Sequence, residues 1–192
     1  LHGYFHGSAY DDRVAIGSIN PQAGTITTAT VVSTWTGWPE MNSGAPYRAY
    51  NLLEEMDLPG EWYLDRTSNI VYWYPTADAG TATVEISVLS APMLTADNAS
   101  KLRVEGITFD GSRGAGLQLN NCTDSLVTGC SLRNLSGGGV AFNGGQRNAM
   151  IGCDLVGLGG TSCHLDAGDR NTLVRGDTVI ANCRFSNFGV GM

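Results

Sequence analysis

Two aspartates, Asp166 and Asp169, stand beside Arg170, with His164 two residues before the first of them. No other grouping in the chain carries as much chemistry. Paired carboxylates act as general acid and base, or one attacks as nucleophile while the other supplies a proton. Cleavage of a glycosidic bond uses such a pair, about 5–5.5 Å apart in retaining enzymes and about 6.5–9.5 Å apart in inverting ones. Arg170 is placed to hold one aspartate ionised by lowering its pKa, and His164 to contact a substrate. A plainer reading stands beside this one. Asp169 and Arg170 would then be an ion pair capping a turn, and Asp166 a hydrogen-bonding rung of a stack. For His164 taken alone, ordinary surface is the commoner meaning.

The elements that must hold these residues are visible as a repeat. The segments VEGITFDGSRGAGLQL (104–119), VTGCSLRNLSGGGVAF (127–142) and MIGCDLVGLGGTSCHL (150–165) overlay, and a fourth begins at Ile180. Ile107, Cys130, Cys153 and Cys183 are equivalent, at spacings of 23, 23 and 30 residues. A period in the twenties with short strands and many turns marks a solenoid. Each repeat buries its apolar face only by stacking on its neighbours. The expected fold is all-β: a right-handed, single-stranded parallel β-helix.

Alternation along each strand assigns the faces. Ile107/Phe109, Cys130/Leu132, Cys153/Leu155 and Cys183/Phe185 point inward, as do Leu117/Leu119, Val140/Phe142 and Cys163/Leu165. Thr108, Ser131, Asp154 and Arg184 point outward, with Asp154 and Arg184 expected to pair across the rung. Gln118, Ala141 and His164 form a second outward column. Asn120, Asn143 and Asp166 follow in register, and asparagines at such turns bond the next coil. Rungs lie roughly 4.8 Å apart, which brings carboxylates on neighbouring coils near the separations that glycoside cleavage needs. The long interval puts its seven extra residues within 167–177, where Asp169, Arg170, Arg175 and Asp177 cluster. A loop extruded from a regular scaffold is where function concentrates.

Residues 1–90 differ from residues 91–192 and are expected to be a smaller antiparallel β domain. Segments 13–19 and 25–32 flank a turn, and 61–65 and 70–74 form an aromatic hairpin. Residues 47–55 fit a short helix or an extended connection. Trp35, Trp38, Trp62, Tyr63, Tyr72, Trp73 and Tyr74 gather here, and sugars stack on exposed aromatic faces. For Trp62 and Tyr72 a place in a small core is the expectation. The chain breaks off within a repeat, without the polar cap that solenoids carry, and reads as an excerpt of a longer protein.

Of the chain's 192 residues 26 are glycine, which suits tight turns that need positive φ. The net charge of −7 argues against nucleic acid and anionic membranes as partners, and favours a neutral glycan over an anionic one. No run approaches the roughly 18–20 apolar residues of a bilayer span, and a monomer is expected. Five cysteines cannot all pair internally. Adjacent rungs fall within the Cα range that a disulfide permits, while stacked free thiols serve as small hydrophobes. No CxxC spacing suggests zinc, and too few outward acids cluster for calcium, so no metal or cofactor is expected. Asn98, Asn121 and Asn134 begin short glycosylation sequons.

The runs NLLEEMDLPGEWYLDRTSNIVYWYP (51–75), VEGITFDG and AGDRNTLVRGDTVIANCRF (167–185) resemble bacterial parallel β-helix proteins of the pectin-lyase-like superfamily. Among these the chain is most similar to the family-141-type glycoside hydrolases, whose members include α-L-fucosidases and xylanases. The resemblance spans nearly the whole chain, and the opening 27 residues share in it. It departs at Ala167, where relatives carry glycine before Gly-Asp-Arg. It implies a secreted, periplasmic or cell-surface enzyme of polysaccharide degradation, with its site on the outer face of the solenoid near the 166–177 loop. The motif match carries over to Asp169 and Arg170, and the residue types assign Asp166 and Asp169 as catalytic, with His164 and Arg170 binding substrate. A polysaccharide lyase and a non-catalytic glycan-binding or adhesion solenoid are the alternatives, since one scaffold hosts all three.

Overall fold

The computed structural model describes residues 1–5, 12–30 and 44–189. They fall into two compact units, Leu1–Thr83 and Val84–Gly191.

The first unit is antiparallel. β1 (His2–Gly3) pairs with β2 (Asp12–Arg13), β3 (Ile16–Asn20) pairs with β4 (Thr25–Thr28), and β5 (Tyr47–Arg48) joins the other edge of β1. Turn chemistry makes the first hairpin: Asn20 Oδ1 accepts from the Ala23 N–H, and Gly24 takes φ +62°. Residues 47–55 turn out to be both extended and helical, with β5 followed by a single 3₁₀ turn at Leu53–Glu55. β6 (Trp62–Asp65) and β7 (Ile70–Trp73) form the aromatic hairpin. Its turn closes on Asp65, which accepts from the Thr67 N–H and the Ser68 hydroxyl, while Asn69 turns left-handed at φ +58°. Trp62 and Tyr72 are not core residues: they are 60% and 44% exposed. Among the described residues the hairpin is a sheet of two strands, with no third strand to deepen a core. Trp35, Trp38 and the end of the expected 25–32 strand lie outside the described residues.

The second unit is a parallel β-helix. Its strands are β8 (Leu94–Asp97), β9 (Arg103–Glu105), β10 (Thr108–Ser112), β11 (Leu117–Asn120), β12 (Leu126–Thr128), β13 (Ser131–Leu135), β14 (Val140–Asn143), β15 (Ala149–Ile151), β16 (Asp154–Leu158), β17 (Cys163–Asp166), β18 (Val179–Ala181) and β19 (Arg184–Phe188). They stack as three parallel sheets: β8-β11-β14-β17, β9-β12-β15-β18 and β10-β13-β16-β19.

Register follows the repeat. Leu94, Leu117, Val140 and Cys163 form one inward column, and Val104, Val127, Met150 and Ile180 another. The middle of the stack is dry, with Leu117, Phe142, Leu132, Met150 and Leu155 fully buried. All five cysteines are free, and Cys122, Cys130 and Cys153 are buried. At the ends of the stack the inward columns are less covered: Leu165 and Phe185 lie in register with buried Phe142 and Leu155, yet Ile107, Leu165 and Phe185 are 44%, 46% and 38% exposed. Ile107 precedes the edge strand β10, and the other two lie on edge strands β17 and β19, so each has a coil on one side only. Asp154 and Arg184 pair in register but form no ion pair. Both are exposed, where pairing gains little over hydration.

The corners are set by left-handed residues in columns. Gly106, Gly129, Gly152 and Asn182 form one, with φ between +51° and +64°. Lys101, Asp124, Arg147 and Asp177 form another, with φ between +47° and +59°. The sequon asparagines Asn98, Asn121 and Asn134 are also left-handed, at φ +51° to +53°. Their short side chains tolerate this backbone, which explains why asparagine recurs at the turns.

Candidate active site

The long coil keeps its 23-residue register as far as Gly168, whose N–H donates to Gly145 O at 3.0 Å. Gly176 resumes the stack, its carbonyl accepting from the Arg147 N–H at 2.7 Å. Residues 169–175 are therefore the excursion. They close on themselves as a tight antiparallel turn: the Asp169 N–H donates to Val174 O at 2.9 Å, and the Val174 N–H to Asp169 O at 3.0 Å. Gly168 has to be glycine, because it takes φ +75° and a Cβ there would collide with Val174 O.

Asp169 is the hub of this loop. Its Oδ1 accepts from the Asn171 N–H and its Oδ2 from the Thr172 hydroxyl, each at 2.8 Å. The Thr172 hydroxyl, then the Asn171 N–H, hold the Asp169 carboxyl below its ordinary value. Arg170 does not do this. It is exposed and makes no ion pair among the described residues, so the expected Asp169–Arg170 pair does not form. The arginine that pairs in this region is Arg175, whose Nη2 lies 3.0 Å from Asp177 Oδ1.

Asp166 is the last residue of β17 and stands opposite Asn143 of β14. Its carboxylate is exposed and accepts no hydrogen bond from a described residue. His164 lies two residues earlier on the same outer face of β17, also exposed and without a side-chain partner among the described residues. The fold thus brings His164 and Asp166 onto one face and starts the Asp169–Arg170 loop three residues further on. No hydrogen bond or ion pair joins any two of the four.

Two contributors are not apparent from residue types alone. Leu173, at the tip of the loop, is 85% exposed and left-handed at φ +58°, which is unusual for a bulky apolar side chain. Asp97 is the second. Asn120 Nδ2 donates to Asp97 Oδ1 at 2.7 Å, and Asn143 Nδ2 donates to Asn120 Oδ1 at 2.8 Å. The ladder of turn amides therefore begins one coil earlier than Asn120. Laying TADN (95–98) over QLNN (118–121), AFNG (141–144) and HLDA (164–167) would have found it.

Among the described residues no group of three or more His, Cys, Asp or Glu could hold a metal ion. Nor is any described helix long and apolar enough to cross a membrane. No curated protein matches the chain. Residues 91–179, from just before β8 to the start of β18, match the family model described as a right handed beta helix region.

Proposed function

We propose that this protein is a glycoside hydrolase that cleaves a plant or algal polysaccharide outside the cytoplasm, as a monomer. The β-helix is a common scaffold of carbohydrate-active proteins, but a scaffold alone does not choose a reaction. One observation carries the reading. The coil that departs from the repeat sets Asp166, a carboxylate that bonds no described residue, close in sequence to Asp169, whose pKa is held below its ordinary value. An aspartate already bonded by N–H and O–H donors suits the base or nucleophile. Asp166 is the other carboxylate of the pair and is free to meet a substrate, since no described group bonds its oxygens. His164 and Arg170 would bind sugar hydroxyls, and Leu173 would lie against an apolar sugar face. The net charge of −7 favours a neutral glycan.

Digestion of a polysaccharide panel by the full-length protein, with products read by mass, tests this. Hydrated products are expected. Asp166→Asn and Asp169→Asn should each lower turnover by about 10²-fold or more, the usual scale of acid–base catalysis. Unsaturated products absorbing in the near ultraviolet would mean a lyase. Binding without turnover on every glycan would mean an adhesion module. Wild-type hydrolysis by both variants would remove these two residues from the reaction.

A further inference from the structure

We propose that Cys153 and Cys183 are a disulfide site: a small-molecule disulfide oxidant joins them and so staples the long coil at its root. The inference stands whether or not the chain cleaves glycans.

The two cysteines hold the same place on adjacent rungs. Asp154 and Arg184, the residues after them, are in register between β16 and β19, and the Arg184 N–H donates to Cys153 O at 2.9 Å. Neighbouring strands lie about 4.8 Å apart, inside the Cα range that a disulfide spans. The side chains close the remaining gap. Cys183 Sγ accepts from the Cys153 N–H at 3.5 Å, and both cysteines belong to the packed core of the stack.

Other pairings of these thiols are less well placed. Burial above all pushes the Cys153 thiol up to about 11, and a side-chain hydrogen bond with Cys183 adds to the rise, whereas Cys130 bonds Cys153 through its backbone. Sulfur therefore meets sulfur between Cys153 and Cys183. Cys163 stands on a different sheet, in β17, and its Sγ lies 3.9 Å from His164 O.

The exchange balances with oxidised glutathione as the oxidant. One cysteine thiolate attacks a glutathione sulfur, the glutathione S–S bond breaks, and one glutathione thiolate leaves. The second cysteine thiolate attacks the protein sulfur of that mixed disulfide and expels the other glutathione thiolate. The protein gives up two electrons and two protons, and two reduced glutathione molecules carry them. A thiol raised as far as Cys153 is seldom a thiolate at neutral pH, so the bridge forms as the chain folds, before the long coil docks. It closes a loop across the 30-residue interval and constrains the unfolded chain. The same bond ties down the segment that holds Asp166 and Asp169.

The test refolds the full, reduced chain in a buffer of oxidised and reduced glutathione, then maps its peptides by mass without reductant. One bridged pair is expected, Cys153 with Cys183. The oxidised protein should melt about 5–10 °C above the same protein treated with dithiothreitol, and amides of residues 163–181 should exchange more slowly. Cys183→Ser should remove both the bridge and the response to reductant, and Cys163→Ala should keep both. The proposal is overturned if the map shows no bridge, glutathione adducts alone, or a bridge from Cys153 to Cys130 or from Cys183 to Cys163. Equal melting of oxidised and reduced wild type would overturn it as well.

Discussion

Arg147 reaches across one coil to hold Asp124 through two bonds, Nε to Oδ1 at 2.6 Å and Nη2 to Oδ2 at 2.9 Å. Both residues are left-handed, at φ +52° and +54°. They belong to a corner column of alternating charge, Lys101, Asp124, Arg147 and Asp177. The same position thus bears backbone strain and a cross-coil ion pair together.

Substitutions at Arg147 separate those two effects. Arg147→Gly removes the ion pair but relieves the strained backbone, so the melting temperature should change little. Arg147→Val loses the pair and forces a β-branched residue into the left-handed region, and should melt several degrees lower. Equal melting of the two variants would mean that the corner does not strain its residues.

Acid should weaken the fold through the outer carboxylates. Asn134 and Arg133 hold the Asp110 carboxyl below its ordinary 3.8, and Arg147 does the same for Asp124. Groups lowered in the native state contribute their full stability above the ordinary value and lose it as pH falls through the native one. Thermal melts should therefore fall modestly below about pH 4, because both carboxylates are exposed and their pairs are screened by solvent. Asp110→Asn with Asp124→Asn should flatten that drop.

The thiols act at the opposite end of the scale. Burial pushes Cys153 and Cys163 up to about 11, from an ordinary value of 9.0. Raised groups stabilise below their unfolded value, and that contribution is lost as pH rises through the native one. The fold should weaken between pH 9 and 11. At pH 8 iodoacetamide should label both cysteines far more slowly in the native protein than in denaturant, because the thiolate is the reactive form.

Two buried side chains measure different parts of the stack. Phe142→Ala empties the middle of the core and should cost about 3–5 kcal/mol in chemical denaturation. Asn148, also buried, accepts from the Ser125 N–H at 3.1 Å and donates to Cys122 O at 2.8 Å. Asn148→Ala leaves the Ser125 N–H unpaired, while Cys122 O keeps its bond from the Gln146 N–H, and should cost about 1–3 kcal/mol. A loss at Asn148 indistinguishable from zero would mean that water replaces the amide.

Thr172→Val tests the role proposed for Asp169. Losing the hydroxyl removes the largest influence that holds Asp169 low, so its carboxyl should titrate closer to the ordinary 3.8. If Asp169 is the base or nucleophile, the acid limb of the rate profile should move to higher pH in step with that titration. An unmoved limb beside a moved carboxyl would exclude Asp169 from that role.

How much of this was legible differs from residue to residue. The inward columns through Leu117, Phe142 and Leu155 could be read directly, because alternation and a constant 23-residue offset are properties of order along the chain. Ile107 and Phe185 follow the same alternation and still are exposed, since burial depends on whether another coil lies above or below. Trp62 and Tyr72 erred the other way, because an apolar residue in a strand is buried only if a layer covers it. Asp154 and Arg184 were correctly put opposite each other, but register does not oblige exposed charges to bond.

The excess of seven residues, and the charges within it, are likewise properties of sequence. Spacing alone settled the period, the stacking and the coil that breaks the pattern. Only the three-dimensional structure decided that residues 169–175 are the excursion, that Asp169 bonds Thr172 and Asn171, and that the amide ladder runs from Asp97 through Asn120 to Asn143. The physical reason is that side-chain period and offset are local and additive along the chain. A hydrogen bond's direction, and the freedom of a carboxylate, depend on which distant groups already occupy its partners.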